Sequence, residues 1–326
     1  ARSAEGLVAL LLAGESIALV SDAGTPAISD PGARVVNAAR GAGILYYPKL
    51  VSAVPFTPAT GRRLLCQDAE VERILIDGMH GVAHATRAHS IHVLFATKEE
   101  HETIGERPEF AGRMTHQFHW DNDGYEHFDD WLSCFRSRRR KEVRRERRVA
   151  QEHNVQIRMV RGAELTRDVW LRLRAFYEDT THRKHAEPYL KPAFFTDGAE
   201  RLSHSALAFI AEHEGRIVAG SLCFQRGQHL YGRYWGCEPE WSRLHFELCY
   251  HAPIEACIQS KWTHFEAGAQ GMHKMQRGLE PVATWSGHHL RHRGLHDAVH
   301  RAVSEEREHI ASEIEWLREK TPFHRI

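Results

Sequence analysis

The stretch from Leu230 to Lys274 limits the possible folds most strongly, because a strand, a helix and a second strand follow one another there. Residues Leu230 to Cys237 are rich in aromatic side chains, which is typical of a β-strand. Apolar residues then recur at helical spacing: Phe246, Tyr250, Ile254, Cys257 and Ile258. A second short strand, Thr263 to Ala267, runs into a glycine-containing segment. Polar groups collect where these strands end and the helix begins, which is where α/β folds bind ligands.

The order of the predicted elements indicates an α/β (α+β) fold. A length of 326 residues is enough for two domains. From Val155 onward the predicted order is β, α, α, β, β, β, α, β, which matches the topology of the GNAT N-acyltransferase fold. After a longer helix, a strand, a helix over Lys98–Gly105 and a strand follow between Ile91 and Trp120. The same order recurs between Thr263 and Trp285, with a helix over about Gln270–Arg277. We therefore expect two related α/β units. A last, charged helix is predicted over Arg307–Lys320.

Charge and cysteine content exclude several classes of protein. The 43 Lys and Arg residues balance 43 Asp and Glu residues, so no global charge attracts the chain to nucleic acid or to a membrane surface. The six cysteines include no CxxC pair, which is typical of reduced thiols in a cytoplasmic protein. The apolar run Leu7 to Val20 is interrupted by Gly14 and Glu15, so we expect no membrane span.

The N-terminal segment carries the loop SDAGTPAISDPG between a predicted strand and a predicted helix. This loop resembles the ribosomal RNA small-subunit 2′-O-ribose methyltransferase family of the tetrapyrrole-methylase fold. The resemblance implies that Asp22, Gly24, Thr25 and Pro26 derive from an S-adenosylmethionine pocket. The family's glycine-rich opening and its Pro-Gly-Pro turn are absent from this chain. We therefore expect residues 1–44 to be a methylase-like fragment that does not use S-adenosylmethionine.

The segment from Arg136 to Arg148 is intensely basic and helical in pattern. We expect it to continue the amphipathic helix that starts at Phe128 and to end near His153. Its acidic residues are Glu142 and Glu146. One interpretation is a solvated helix face with internal ion pairs. The other is a cradle, including Arg139 and Lys141, for the phosphates of coenzyme A or the backbone of a transfer RNA.

Six motifs from Tyr46 to the C-terminus together resemble the FemAB-like predicted N-acyltransferases, which are labelled as peptidoglycan-biosynthesis proteins. They are YYPKLVSAVPFTPATGRRLL, HQFHWDNDGYEHFDDWL, SRRRKEVRRERR, LYGRYWGC, LHFELCY and FEAGAQGMHKMQRGLEPV. The resemblance implies tandem GNAT-like units: a truncated, incomplete first unit over 45–153, preceded by the methylase-like β-α fragment, and a second unit over 154–326. It also implies transfer of an acyl or aminoacyl group to an amine of a peptide-like or cell-wall-precursor acceptor. Met272 occupies a position where the resemblance implies an acidic residue, so this chain has no carboxylate there.

Amine acylation needs a base, a polarised carbonyl and a bound donor, and we assign predicted site residues to these tasks. The predicted catalytic residues are Glu266 as the base, His245 and His273. His245 also starts a predicted helix whose free N–H groups can bind an anionic donor. The segment WSRLHFE is too bulky for a glycine-rich phosphate loop, which favours aminoacyl-tRNA over acyl-CoA as the donor. The predicted substrate-binding residues are Glu247, Gln270, Lys274, Arg277, Arg233, Tyr234, Trp235, Trp120, Asn122, Arg139 and Lys141.

Alternative interpretations remain open from the sequence. Glu266 could be a structural carboxylate rather than a base. Residues 233–235 could simply alternate between the two faces of a half-buried strand without binding substrate. The histidines between 288 and 300 match neither HExxH nor a Cys-containing zinc pattern, so we predict no metal and no tightly bound cofactor. An RNA methyltransferase and an inactive chimera are the competing functions. The predicted partners are a small or peptide-like acceptor and a tRNA or other polyanion at the basic helix.

Overall fold

The computed structural model describes residues 43, 45, 47–55, 57–152, 154–183, 185–268 and 271–324. Its contacts divide the chain into two compact units. Unit 1 contains the described residues up to Gln117 together with Val282–Glu319, and unit 2 contains Phe118–Pro281 together with the described residues from Lys320 onward. This division differs from the linear boundary predicted at residue 153. The reason is that a late strand returns to pair with an early one.

Strands and helices are distributed along the whole described chain. The strands are β1 Lys49–Ser52, β2 Ser90–Ala96, β3 Ala111–Asp121, β4 Gln156–Arg161, β5 Ala206–His213, β6 Arg216–Arg226, β7 His229–Cys237, β8 His264–Glu266 and β9 Glu280–Leu290. The α-helices are α1 Ala69–Ala85, α2 Lys98–Gly105, α3 Phe128–Ser133, α4 Ser137–Glu152, α5 Arg167–Arg183, α6 Pro192–Phe195, α7 Asp197–Leu202, α8 Ala252–Ser260 and α9 Arg293–Glu319. The mixed α/β fold predicted from the sequence is confirmed.

Unit 1 is built on β2, which is apolar and almost completely buried. It pairs in parallel with β1 and antiparallel with β9. Helix α2 begins with a capping box in which Thr97 and Glu100 bond each other's backbone N–H groups. The carboxylate of Glu100 also accepts a hydrogen bond of 2.7 Å from the N–H of Leu64. This buried carboxylate therefore ties the chain before α1 to the start of α2.

Unit 2 contains an antiparallel run of strands in the order β4, β5, β6, β7. Strand β8 then pairs in parallel with β7 and antiparallel with the end of β3. Helices α5, α6 and α7 supply the apolar side chains that cover one face, among them Trp170, Leu173 and Phe195. On the other face the hydroxyl of Ser221 donates a 2.7 Å hydrogen bond to the carbonyl of Leu248. The sheet is therefore covered on both faces within this unit.

Two glycines allow α5 to approach this sheet closely. Gly220 of β6 and Gly236 of β7 lie directly opposite each other. A Cβ atom on Gly236 would lie 2.4 Å from the carbonyl oxygen of Phe176 in α5. A Cβ atom on Gly220 would instead meet the end of the Leu173 side chain at 2.8 Å. The backbone contact at Gly236 is the more rigid of the two.

The basic helix is separate from the helix before it. A single helix from Phe128 to His153 was predicted, but α3 ends at Ser133 and α4 begins at Ser137. Phe135 lies in the break, fully buried, with its ring centroid 4.8 Å from that of Phe323. Burial of this aromatic ring turns the chain and ends the first helix. In the described part of the chain no helix has both the length and the apolar character needed to cross a membrane.

Replacing Gly236 by Ala should destabilise unit 2, because the added methyl group meets the α5 backbone. We expect a loss of about 1–3 kcal/mol in the free energy of unfolding, as for overpacked cores. Gly220→Ala should cost less, since the Leu173 side chain can rotate away. Gly81→Ala has open space around its Cβ and should be neutral or slightly stabilising. Denaturant unfolding of the three variants checks this order, and equal losses at Gly236 and Gly220 would contradict it.

Candidate active site

Strands β7 and β8 lie side by side for only a short distance. Their parallel pairing covers three residue pairs and ends at Tyr231 and Glu266. Beyond this point β7 continues along β6, with Arg233 as the extra residue of a bulge between Gly232 and Tyr234. The two strands therefore part at the position of Glu266, and polar groups from both strands and the following segments line this region.

Glu266 lies in a cluster of histidines on one face of the sheet. Glu266 is 4% exposed, and its carboxylate lies 3.5 Å from Nε2 of His264 and 3.9 Å from Nε2 of His119. The register places His119 opposite Glu266 and Asp121 opposite His264. Nδ1 of His264 is hydrogen-bonded to Oδ1 of Asp121 at 2.6 Å. Strand pairing thus brings together a carboxylate, an imidazole, a second carboxylate and a second imidazole.

The two imidazoles of this cluster differ in charge. Burial lowers the pKa of His119 to about 4, against the opposing effect of Glu266. Burial also disfavours the charged form of His264, but its hydrogen bonds to Asp121 and Glu266 outweigh this and raise its pKa to about 9. At neutral pH the pair therefore consists of one neutral imidazole and one imidazolium beside the Glu266 carboxylate.

Lys274 is the buried cation of this site. It is 2% exposed, and its ammonium donates a 2.5 Å hydrogen bond to the carbonyl of Gly268. Burial lowers its pKa from 10.5 to about 8. Its charge in turn helps to lower the pKa of His119. The ammonium group therefore lies in a poorly solvated position and acts electrostatically on His119 of the Glu266 cluster.

His245 and His273 belong to an aromatic–histidine cluster. This cluster comprises Trp235, His245, Phe246, Tyr250, His273 and Arg277. The ring centroids of His245 and His273 lie 5.9 Å apart, and Tyr250 is hydrogen-bonded to Nε2 of His273 at 2.9 Å. Burial and the neighbouring cations Arg277 and Lys274 lower the pKa of His273. The two predicted catalytic histidines are therefore brought together by the fold.

Arg277 is fixed by an acidic residue of the basic helix α4. Its guanidinium lies 3.3 Å from the ring centroid of Phe246 and donates a 2.8 Å hydrogen bond to the carbonyl of His273. Glu146 binds the same guanidinium through both carboxylate oxygens, at 2.5 and 3.2 Å. Glu146 also bonds Nε2 of the buried His251 at 2.8 Å. Helix α4 is thus joined to the segment that follows β8.

One part of the sequence interpretation was wrong. A helix starting near His245 was expected to present free N–H groups to an anionic donor. A 3₁₀ turn, Pro239–Leu244, precedes it instead, and the N–H of His245 donates to the carbonyl of Ser242. A π-helical turn over Glu247–His251 then leads into α8. The proline in the segment EPEWSRL begins a helical turn earlier than expected, so the N–H of His245 is already bonded.

The outer side of α4 lines an open groove of about 1190 Å³. Glu247 and Glu255 also lie in its wall, and both form ion pairs with Arg147. Burial raises the pKa of Glu247, against the opposing effect of Arg147. One carboxylate oxygen of Glu247 is buried and bonds no atom of the described residues. The cations in the groove wall are Arg138, Lys141, Arg144, Arg145, Arg147 and Arg148.

The remaining predicted residues have varied surroundings. Tyr234 packs on Tyr177 of α5, with ring centroids 5.0 Å apart, and its hydroxyl lies 3.2 Å from that of Tyr189. Arg233 stacks on the Tyr234 ring. Trp235 faces the other way, towards His245, at 5.2 Å.

Three further predicted substrate-binding residues are buried or already bonded within the protein. Trp120 is buried beside Phe265, and its indole N–H bonds no atom of the described chain. Asn122 accepts hydrogen bonds from the N–H groups of Gly124 and Tyr125, which gives it a role in forming the turn. Arg139 is ion-paired with Glu142. Gln270, Asp22, Gly24, Thr25 and Pro26 lie outside the described residues.

Sequence reasoning missed His119, Asp121, His264 and Glu146 as members of the site. The motif HQFHWD places His119 and Asp121 on the same face of a strand, since they are two residues apart. The sequence does not reveal that this strand pairs with the one that carries Glu266. Glu146 was considered only as an acidic residue within the basic helix, where ion pairs inside the helix were expected. The missing information was in each case a contact between distant segments.

Solved structures with related folds support this architecture. L-PGS from Bacillus licheniformis is 11% identical, with a TM-score of 0.51 over 70% of this chain and 77% of that chain. The C-terminal domain of a putative lysylphosphatidylglycerol synthetase from Agrobacterium fabrum is 9% identical, with a TM-score of 0.52 over 73% of this chain and 78% of that chain. At these identities the similarity shows the fold alone.

The curated relatives match a short part of this chain. Ribosomal RNA small subunit methyltransferase I of Xylella fastidiosa is 62% identical over 45 residues, which are 14% of this chain and 16% of that protein. The enzyme of the same name from Escherichia coli O157:H7 is 55% identical over 47 residues, with the same shares. This chain thus spans about 16% of the length of these relatives. The predicted methylase-like resemblance is confirmed for this short segment.

A family model covers most of the chain. The FemAB-like model, described as peptidoglycan biosynthesis/recognition, matches residues 33–325. That range contains β1 to β9, the cluster at Glu266 and the basic helix. The chain therefore belongs to the FemAB-like family, as its motifs predicted.

Proposed function

We propose that this protein is an N-acyltransferase that transfers an acyl or aminoacyl group to the amine of a peptide-like or cell-wall-precursor acceptor. Membership of a family described as peptidoglycan biosynthesis/recognition supports that class of acceptor. The similarity in fold to a protein titled a putative lysylphosphatidylglycerol synthetase is compatible with an aminoacyl donor. The methyltransferase alternative is supported only by short partial matches, such as the 45 residues aligned with the Xylella fastidiosa enzyme.

The observation that carries the proposal is the parting of β7 and β8 beside Glu266 and Lys274. An acceptor amine held against the end of β8 reaches a carboxylate that is already aligned by His264. The neighbouring Lys274 ammonium, poorly solvated, is suited to stabilise negative charge on a carbonyl oxygen, because electrostatic interactions strengthen where water is excluded.

In the proposed reaction the amine attacks the carbonyl carbon of the donor and a C–N bond forms. Glu266 takes the proton that the amine loses, while Lys274 donates a hydrogen bond to the oxyanion. The bond from the carbonyl carbon to the donor's ester oxygen or thioester sulfur then breaks. The leaving group takes up the proton, and Glu266 returns to its carboxylate form. His245 and His273, which lie close to each other and to Trp235, are the proposed histidines that contact the substrate.

The groove on α4 is the proposed site for the polyanionic part of the donor. Its cations lie on one helix, in an open groove large enough for a nucleic-acid backbone. The N–H of His245 is already bonded to the carbonyl of Ser242, so it is not free to bind the pyrophosphate of coenzyme A. We therefore favour aminoacyl-tRNA over acyl-CoA. Incubating the protein with each donor and a panel of amino acceptors, and detecting products by mass spectrometry, tests the function; transfer from neither donor would contradict it.

Replacing Glu266 by Gln should remove the proposed base with little change in volume. We expect kcat to fall by about 10²- to 10⁴-fold, as for the loss of a general base. The exposed Glu240, changed to Gln, is the matched control and should keep full activity. Steady-state kinetics and thermal melting are measured together. Full turnover in Glu266→Gln, or its unfolding, would assign Glu266 to the structure.

The lowered pKa of Lys274 predicts a pH dependence. Since the cationic form is the useful one, kcat should fall as the pH rises through about 8, where Lys274 loses its proton. Lys274→Met should lower kcat by about 10²- to 10³-fold, in line with the loss of an oxyanion donor, and should remove the decline near pH 8. A decline near pH 9, where His264 loses its proton, should remain. A pH profile of both proteins is the measurement, and a decline in the variant that still begins near pH 8 would contradict the role of Lys274.

Charge reversal in the groove should weaken polyanion binding and reduce its salt dependence. Each phosphate that the variant no longer neutralises should reduce the log–log salt slope by about 0.7 to 0.9. Lys141→Glu and Arg145→Glu should show this effect in tRNA titrations at several salt concentrations. Arg139→Glu should show less, because Glu142 already neutralises Arg139. Arg226→Glu, exposed at the end of β6, is the control. An unchanged slope would indicate that this side of α4 is a solvated helix face that does not bind polyanions.

A further inference from the structure

The cluster at the end of β8 combines the side chains that borderline metal ions prefer. The ligand atoms of His119, His264 and Glu266 all lie within 4.8 Å of one another. Two imidazoles and a carboxylate form a familiar three-residue set for zinc, with a fourth position left open. We propose that these three residues form a binding site for a divalent transition-metal ion of the zinc class.

The register of the sheet is what makes this site possible. His119 and Glu266 lie directly opposite each other on paired antiparallel strands. His264 precedes Glu266 by two residues on the same strand, so its side chain lies on the same face. The carboxylate of Glu266 is 3.5 Å from His264 Nε2 and 3.9 Å from His119 Nε2. Ligand atoms around a tetrahedral zinc ion lie about 3.2–3.5 Å apart, so small side-chain rotations suffice.

Asp121 orients one of the imidazoles for this role. Its carboxylate lies 2.6 Å from Nδ1 of His264, which directs Nε2 towards Glu266. A metal-binding histidine usually donates its other ring N–H to a carboxylate in this way. The side chain of His264 is 19% exposed and that of Asp121 62%, so this edge gives an ion access to the two buried ligands.

An ion bound here would engage the carboxylate that the proposed reaction uses as its base. Occupation of the site should therefore inhibit transfer, a consequence that rests on the proposed function. Metal binding itself does not depend on that function. The two ideas can accordingly fail separately in one set of experiments.

The test uses the full chain, freed of metal by a chelator and titrated with Co²⁺ and Zn²⁺. The chain contains 25 histidines, so weak binding elsewhere is expected and the comparison between variants decides. The parent should bind one Co²⁺ with the intense visible absorption of a tetrahedral site, and Zn²⁺ should displace it. His264→Ala should lose this ion. His229→Ala is the matched control, since its ring lies 5.0 Å from that of His264 but outside the three-residue set, and it should keep the ion.

Asp121→Asn should weaken binding by about 10- to 100-fold, the usual effect of removing a carboxylate behind a ligating histidine. Melting curves with and without Zn²⁺ give a second readout, because an ion bound to the folded state raises the melting temperature. If His264→Ala does not fold, Glu266→Gln replaces it. The proposed site would be overturned if His264→Ala or Glu266→Gln bound Co²⁺ as well as the parent does, or if the parent gave no tetrahedral spectrum. Binding without inhibition would instead contradict the role of Glu266 as the base.

Discussion

The short pairing between β7 and β8 is the constraint on which the candidate site depends. Three residue pairs join the strands, and β8 ends at Glu266 while β7 runs on to Cys237. A strand that loses a neighbour presents backbone N–H and C=O groups along that edge, and these groups need partners. The bulge at Arg233 adds local twist at the same place. The sheet thus opens beside the titratable groups around Glu266.

The ion pair between Glu146 and Arg277 gives the basic helix an internal role as well as an external one. Arg277 is 7% exposed, and leaving such a buried charge without its carboxylate typically costs about 3–5 kcal/mol. Glu146 also holds His251, so one acidic residue secures two elements. Val143, on the same side of the helix, is buried. The two interpretations of α4, a solvated helix face or a cradle for polyanions, were therefore incomplete. One face of α4 packs against the rest of unit 2, and another lines the groove.

Local signals made most elements predictable. Lys98–Gly105 was predicted as a helix with the bounds that the structure has, since its capping box is visible in the sequence. The segment predicted as a helix over Gln270–Arg277 is instead a 3₁₀ helix, Met272–Arg277, which follows a glycine with positive φ. The final helix was predicted from Arg307, but α9 starts at Arg293. Its early turns are rich in histidine, which obscured the helical pattern.

Contacts between distant segments were not predictable from the same signals. Glu266 was identified by its position at a strand end, a local property. His119 becomes its neighbour only through the pairing of β3 with β8, and these strands are far apart in the sequence. The return of β9 to β2 likewise altered the division into units. A pattern of alternation specifies which face a residue occupies, but it does not specify which strand lies beside it.

The surroundings of Glu266 assign different roles to its two histidines. His264, held by Asp121, is an imidazolium at neutral pH and provides a charge partner for the carboxylate. His119 is more deeply buried and stays neutral, so it provides a polar group without adding charge. The charged histidine therefore fixes one side of the carboxylate, and the neutral histidine on the opposite strand adds no second positive charge.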